Sequence, residues 1–423
     1  MSQAYRPRPG LATAPAAVCA VAWAIMTLAA LAFIAHFGHD APWADEWEFI
    51  PGLTGHEPAG PWLWAQHNEH RLPLPRLLFW TLYQLTGDFR SGMVAQVLML
   101  SGLSIFVMRA AARVRGRSSV VDAAVPLGLL HFGHAENFLM GYQVCFALVP
   151  VLVAVMLVEA VWATPETARR TAWRVGPCLL LLEMCGGAGL VFAGPVGAWL
   201  VWLAVKHRAW AGFVFASLAA AYLAVYFVGY ERPAHHPPTR PDQLGLAVLI
   251  AGEVLGMGFG YGAVAVWPAA GAAAVGLLGV AAWHRRRAGG VLAVCGGIAG
   301  IAAAVGYGRA GFGYWDMGLW SRYGLLAWPA LAAAHLAFAG AAGRRRHVPA
   351  VIAIATFALV PFNASAGWRW ATVYADRQAR YSADEAAGMP AEELAAKHLA
   401  DMMQDQRAAI GIPMLRAARS PAR

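Results

Sequence analysis

Apolar residues run along this chain in long blocks, broken by short polar segments, from the first residues to about residue 367. A helix that crosses a membrane needs about 20 mostly apolar residues, because each advances about 1.5 Å through a hydrocarbon layer about 30 Å thick. Eleven blocks read as such spans, at 12–36, 90–110, 118–133, 138–161, 174–188, 190–206, 209–229, 262–283, 288–306, 323–341 and 348–367. Two more apolar stretches, 72–86 and 243–259, begin with Pro-rich sequence. Full crossing by either would break the charge pattern below, so both are expected to lie along the outer interface or to dip into the membrane. The block from Leu11 to His36 is too long for a signal peptide and lacks a small-residue cleavage site before Asp40, so it reads as a retained first span. The expected fold class is all-α: a polytopic integral membrane protein of about 11 transmembrane helices in residues 1–370, with interfacial helices in the outer loops, followed by a tail at 371–423. In that tail Ser382-Ala-Asp-Glu385 reads as a capping box opening a helix that lies on the protein or on the membrane surface.

Basic residues close every second boundary: Arg109, Arg113, Arg115 and Arg117; Arg169, Arg170 and Arg174; Lys206 and Arg208; Arg285, Arg286 and Arg287; Arg344, Arg345 and Arg346. With Arg6 and Arg8 they fall on one face if the N-terminus is cytoplasmic. An odd number of spans then puts the tail on the far side of a bacterial-type inner (cytoplasmic) membrane. The opposite face has arginines too (Arg71, Arg232, Arg322), mixed there with acids, His and Trp.

Composition supports the membrane reading. Of 423 residues 59% are hydrophobic and 13% charged, where a soluble protein shows roughly 25% charged. The net charge of +9 would suggest nucleic acid in a soluble chain. Here it sits at the ends of apolar runs, as topology requires, and no nucleic-acid partner is expected. Cys19, Cys145, Cys178, Cys185 and Cys295 all lie inside apolar runs without metal-ligand spacing and read as small buried hydrophobes.

Polar chemistry concentrates in the outer loops. In Ala44-Asp-Glu-Trp-Glu-Phe49 the neighbours Asp45 and Glu46 could supply a general base with a pKa raised by partial burial, or form a solvated acidic loop. Gln66-His-Asn-Glu-His-Arg71 places His67, Glu69, His70 and Arg71 together. His67 and His70, three apart, would share a helical face and could offer two ligands to a metal; a polar network anchoring the loop is the plainer reading. The second outer loop carries Glu136, Asn137 and, one to two turns further in, Gln143. Glu136 could face the cavity of Asp45 or serve the helix dipole. A late loop ends in Ser-Arg-Tyr323, where Arg322 could grip a phosphate or snorkel to headgroups, with Arg309 a second candidate. Glu183 precedes Gly186-Gly-Ala-Gly189 and is expected to hydrogen-bond the backbone broken there. Walker A, dinucleotide and Gly-x-Ser-x-Gly patterns do not occur.

The layout of one span, a long first outer loop (37–89) opening on an acidic pair, a second acid in the next outer loop, and Ser-Arg-Tyr323 at a late span resembles the GT-C-fold membrane glycosyltransferases. The resemblance covers most of residues 1–370 in layout and only these short motifs in residues. It implies transfer of a sugar from a polyprenyl-phosphate donor to a glycan, lipid or other hydroxyl acceptor on the extracytoplasmic face, by single inverting displacement. It also implies that Asp45 is the base with Glu46 beside it, that Glu136 orients the acceptor or assists a divalent metal, and that Arg322 with Tyr323 holds the carrier phosphate. His67, Glu69, His70, Arg71, Asn137 and Gln143 would complete substrate binding. Trp43, Trp47, Trp62 and Trp64 would stack on sugar rings or form an interfacial belt. Metal dependence varies within that fold and stays open. The alternative function is a transporter or flippase of a lipid-linked or polar solute. Charges gathered at the outer rim rather than mid-span favour the enzyme.

Overall fold

The computed structural model describes residues 14–285 and 289–419; Arg6, Arg8, Arg286 and Arg287 lie outside the described residues. The chain is a multi-pass membrane protein, nearly all helix. Eight helices are long and apolar enough to cross a membrane, and Ala211–Tyr226 and Tyr323–Phe338 are shorter apolar ones.

The helices used below are α1 (Ala14–Phe37), α2 (Pro73–Thr86), α3 (Arg90–Arg115), α4 (Val144–Trp162), α5 (Ala168–Glu183), α6 (Ala193–His207), α7 (Ala211–Tyr226), α8 (Leu244–Gly256), α9 (Trp267–His284), α10 (Gly290–Ala310), α11 (Tyr323–Phe338), α12 (Val348–Ala386), α13 (Ala391–Leu399) and α14 (Asp405–Arg419). Helix α11 is the axis, buried along its whole length. Its alanines let neighbouring backbones approach closely, the usual basis of helix association in lipid. The bundle's outside is apolar: α1 exposes Val21, Ile25 and Leu28, and α12 exposes Ile354, Phe357 and Phe362. In water such faces would be a liability; in lipid they need no cover.

Basic clusters meet at one end of the bundle. Arg113 lies over Trp162, Arg345 reaches His284, and Gly340 abuts Val114. The acid- and histidine-rich loops meet at the other end, called here the site end.

Two expectations are corrected, and the reading of 243–259 as a stretch that does not cross fully is kept. The block 118–133 is not one helix. It breaks into a 3-10 turn (Val120–Ala123), a short helix (Ala124–Leu129) and a second 3-10 turn (Phe132–His134). Asp122 draws the first turn together by accepting from Ser119 N–H and pairing with Arg115 through both oxygens. The segment Pro241–Phe259 would qualify as a span by length and composition, yet both its ends lie at the site end. Thr239 bonds the Tyr307 carbonyl, while Met257 lies against Gly324. Gly260, at φ +97°, turns the chain back. Finally, Ser382 opens no helix. Helix α12 runs 39 residues straight through it and stops before Gly388, which holds φ +79°. With no Gly or Pro between Gly367 and Gly388, nothing interrupts helical hydrogen bonding there.

Beyond α12 the tail folds back onto the first loop. Leu394, Ala408, Ile412 and Leu415 join Trp47, Ile50 and Trp62 in one apolar cluster. Loop and tail form a single cap on the site end.

Candidate functional site

The first loop opens with a 3-10 turn, Ala44–Phe49. This turn separates the two neighbouring acids. Glu46 is fully buried; its Oε2 accepts Trp43 N–H at 2.9 Å and its Oε1 accepts Tyr142 N–H at 3.0 Å. It ties the first loop to the turn Gly141–Gln143, which Gly141 allows by meeting Gly92 backbone to backbone; a Cβ on Gly92 would sit 2.6 Å from the Gly141 carbonyl oxygen. Burial outweighs those N–H donors and pushes Glu46 up to about 8. The raised pKa expected of the acidic pair therefore belongs to the member that meets no solvent and ties the loop to the turn at Gly141–Gln143.

Asp45 stays partly open, its side chain 31% exposed. Burial would raise its pKa, but the contact and charge of His67, helped by Arg322 and Arg407, hold it below the usual carboxylate range. His67 lies between two acids, Nε2 3.7 Å from Asp45 and Nδ1 2.9 Å from Glu48. Burial disfavours its charge, yet the two acids lift it to about 9, so the trio is carboxylate–imidazolium–carboxylate at neutral pH. The tail completes it: Gln404 donates to Asp45 at 3.2 Å and Arg407 pairs with Glu48 at 2.9 Å.

His67 and His70 do not share a helical face. Residues 66–71 form a two-stranded hairpin, β1 (Gln66–His67) and β2 (His70–Arg71), with His67 opposite His70. Asn68 makes the reversal at φ +47°, a conformation Asn tolerates better than most residues. His70 turns to Gly187, away from the acids that hold His67. Among the described residues, no three of His, Cys, Asp and Glu are placed to hold a metal ion. Arg71 is spent structurally. Its guanidinium donates to the carbonyls of Trp64, Tyr226, Val228 and Gly229, closing the end of α7. Glu69 binds Arg309 at 3.0 Å and His236 at 3.2 Å, and Arg309 also donates to the Tyr323 hydroxyl at 3.2 Å.

Glu136 and Arg322 meet. Glu136 Oε1 lies 3.4 Å from the Arg322 guanidinium, and its Oε2 accepts from Ser321 Oγ at 2.7 Å and from Arg322 N–H at 3.2 Å. The Arg322 guanidinium lies over the Trp320 ring at 4.3 Å. Asn137 reaches the Arg322 carbonyl at 3.4 Å and keeps its own amide oxygen unpartnered. Gln143 is buried against Met140 sulfur, 3.4 Å away, and does not open to solvent. Glu183 is fully buried with neither oxygen hydrogen-bonded, so it does not cap the glycine break as expected.

Beside Glu136 is a cavity of about 440 Å³, lined among others by Tyr261, Trp315, Asp316, Trp320 and Trp370. Of Asp45, Glu136 and Arg322, only Glu136 lines it; Arg322 lies behind, joined to Glu136 and within the electrostatic reach of Asp45. The tryptophans expected to stack on sugars serve elsewhere. Trp47 and Trp62 are buried in the loop cluster, Trp43 lies edge-on to Tyr374, and Trp64 faces Arg71.

Sequence reasoning missed Glu48, Gln404 and Arg407. Glu48 had a signal, lying three residues after Asp45 and so on the same side of one turn. The tail residues had none. Compared with known proteins, the chain matches no family model, no curated protein and no solved structure.

Proposed function

We propose that the protein is a glycosyltransferase of the polyprenyl-phosphate-sugar-dependent kind, working at the extracytoplasmic face, with its basic end in the cytoplasm. The observation that carries this reading is that Asp45 and the Arg322 guanidinium lie within electrostatic reach of each other, while Glu136, which pairs with Arg322, lines a 440 Å³ aromatic-walled cavity. The acceptor hydroxyl gives its proton to Asp45 as its oxygen bonds to the anomeric carbon. The bond from that carbon to the phosphate oxygen breaks, its electron pair leaves with the carrier phosphate, and the anomeric centre inverts. Arg322, always charged and forked, stabilises the anion that develops. Glu136 holds Arg322 in place, and His67 keeps Asp45 ionised and ready.

The test is sugar transfer from a polyprenyl-phosphate donor by the purified protein, alongside mass profiles of surface glycans and lipids from cells lacking it. Asp45→Asn should abolish transfer while the protein still inserts and folds. Full transfer by Asp45→Asn, or an unchanged glycan and lipid profile in the deletion strain, would overturn the reading.

A further inference from the structure

We infer that the cavity beside Glu136 is a subsite for a sugar ring that carries no negative charge, with preference for one bearing a protonated amine. Three tryptophans and a tyrosine wall it. Flat aromatic faces suit the C–H faces of a pyranose, and they attract a cation through the ring quadrupole. The volume lies within the range of small-molecule sites.

Charge decides the class of sugar. The lining holds two carboxylates, Glu136 and Asp316, and no Lys or Arg. Arg322 sits behind the wall, where it pairs with Glu136 and offsets that charge. Among the described residues the Asp316 carboxylate makes no ion pair, and it lies within electrostatic reach of another acid, the buried Glu253. A uronic acid or sugar phosphate placed here would face an uncompensated anion, while an ammonium group would find a carboxylate and an aromatic box together. Glu136 Oε2 and Ser321 Oγ, 2.7 Å apart at the wall, give ring hydroxyls an acceptor and a hydroxyl partner. Trp315 is 58% and Trp320 43% exposed, so the ring can enter without the fold opening.

The inference rests on the transferase reading for the sugar's role, whereas binding itself needs no transfer. The experiment uses the purified full-length protein in detergent and measures saturation-transfer NMR and titration calorimetry. The probes are methyl glucosaminide, methyl glucoside, methyl glucuronide and ethanolamine. The aminoglycoside should bind tightest and the glucuronide weakest, by on the order of fivefold, since a partly exposed charge contact contributes about 1 kcal/mol. Asp316→Asn should close most of that gap and leave the glucoside unchanged; Trp320→Ala should weaken all three glycosides. Equal binding of the three, absence of binding, or ethanolamine binding as tightly as the aminoglycoside would each overturn the inference. Binding in the expected order by a protein that transfers nothing would sink the transferase reading alone. Asp45-dependent transfer with no such binding would sink this inference alone.

Discussion

Gln404 donates a hydrogen bond to Asp45 at 3.2 Å although 359 residues separate them in the chain. Three residues further on, Arg407 pairs with Glu48 at 2.9 Å. The tail thus reaches the two acids that flank His67, and Arg407 adds to the positive field that keeps Asp45 ionised. Arg407 is more than a third exposed (39%), so water screens the pair and its worth is at most about 1 kcal/mol, or roughly fivefold in rate. Arg407→Ala should lower transfer by that factor or less and the melting temperature by at most a few degrees, read by initial rates and thermal unfolding on the same preparation. A complete loss of transfer would show that Arg407 acts on the reacting groups themselves.

The state of Asp45 depends on His67. Burial pushes the Asp45 carboxyl up and the imidazolium pulls it down, and the pull wins. His67→Gln leaves the burial and removes the charge, so the Asp45 pKa should rise. Transfer needs the carboxylate, so the acidic limb of the pH–rate profile should move to higher pH, while rates on the plateau fall less. An acidic limb that stays in place would mean that another group sets it.

These two relationships show what could be seen in the sequence and what could not. The alternation of apolar runs with basic boundaries gave the multi-pass helical bundle, because hydrocarbon imposes length and composition on any helix that crosses it. Asp45, His67, Glu136 and Arg322 stood out because charge at an interface is costly unless used or paired. Whether a polar residue faces a cavity or braces a loop depends on neighbours that spacing does not specify. Glu46 and Arg71 looked as promising as Asp45 and Arg322 until their partners proved to be backbone groups. The hairpin at 66–71 was hidden because its turn rests on one left-handed Asn68. The tail's contacts span hundreds of residues and leave no local pattern.

Alkaline pH should loosen the cap. Both Glu46 and His67 have folded pKa values above their ordinary ones, about 8 and about 9. The folded state therefore binds protons that the unfolded chain releases earlier. The contribution of Glu46 is complete below about 4.3 and lost as pH rises through 8; that of His67 is complete below about 6.5 and lost as pH rises through 9. From these two groups the melting temperature should fall between about pH 4.3 and pH 9, most steeply where the two windows overlap, at about pH 6.5–8. His67→Gln should flatten the upper part of that fall. Glu46→Gln should flatten the lower part and also lower stability throughout by about 1–3 kcal/mol, because an amide cannot accept from both Trp43 and Tyr142 N–H groups. A melting temperature that is level across this range would contradict both assignments.

Ala44 holds φ +47° immediately before Asp45. The left-handed region costs an L-residue roughly 1–2 kcal/mol, and glycine escapes that cost at the expense of a floppier unfolded chain, about 0.5–1 kcal/mol. Ala44→Gly should therefore stabilise the protein by about 1 kcal/mol or less, seen as a small rise in melting temperature. Ala44→Val should do the reverse and more strongly, since a β-branched side chain fits that region worst. The turn that Ala44 begins fixes which way Asp45 and Glu46 point, one toward His67 and the other toward Tyr142 N–H. If the strained backbone positions Asp45, relieving it should cost activity: Ala44→Gly should transfer sugar more slowly than the parent protein while melting higher. Faster or equal transfer together with a higher melting temperature would show that the strain is incidental to the site.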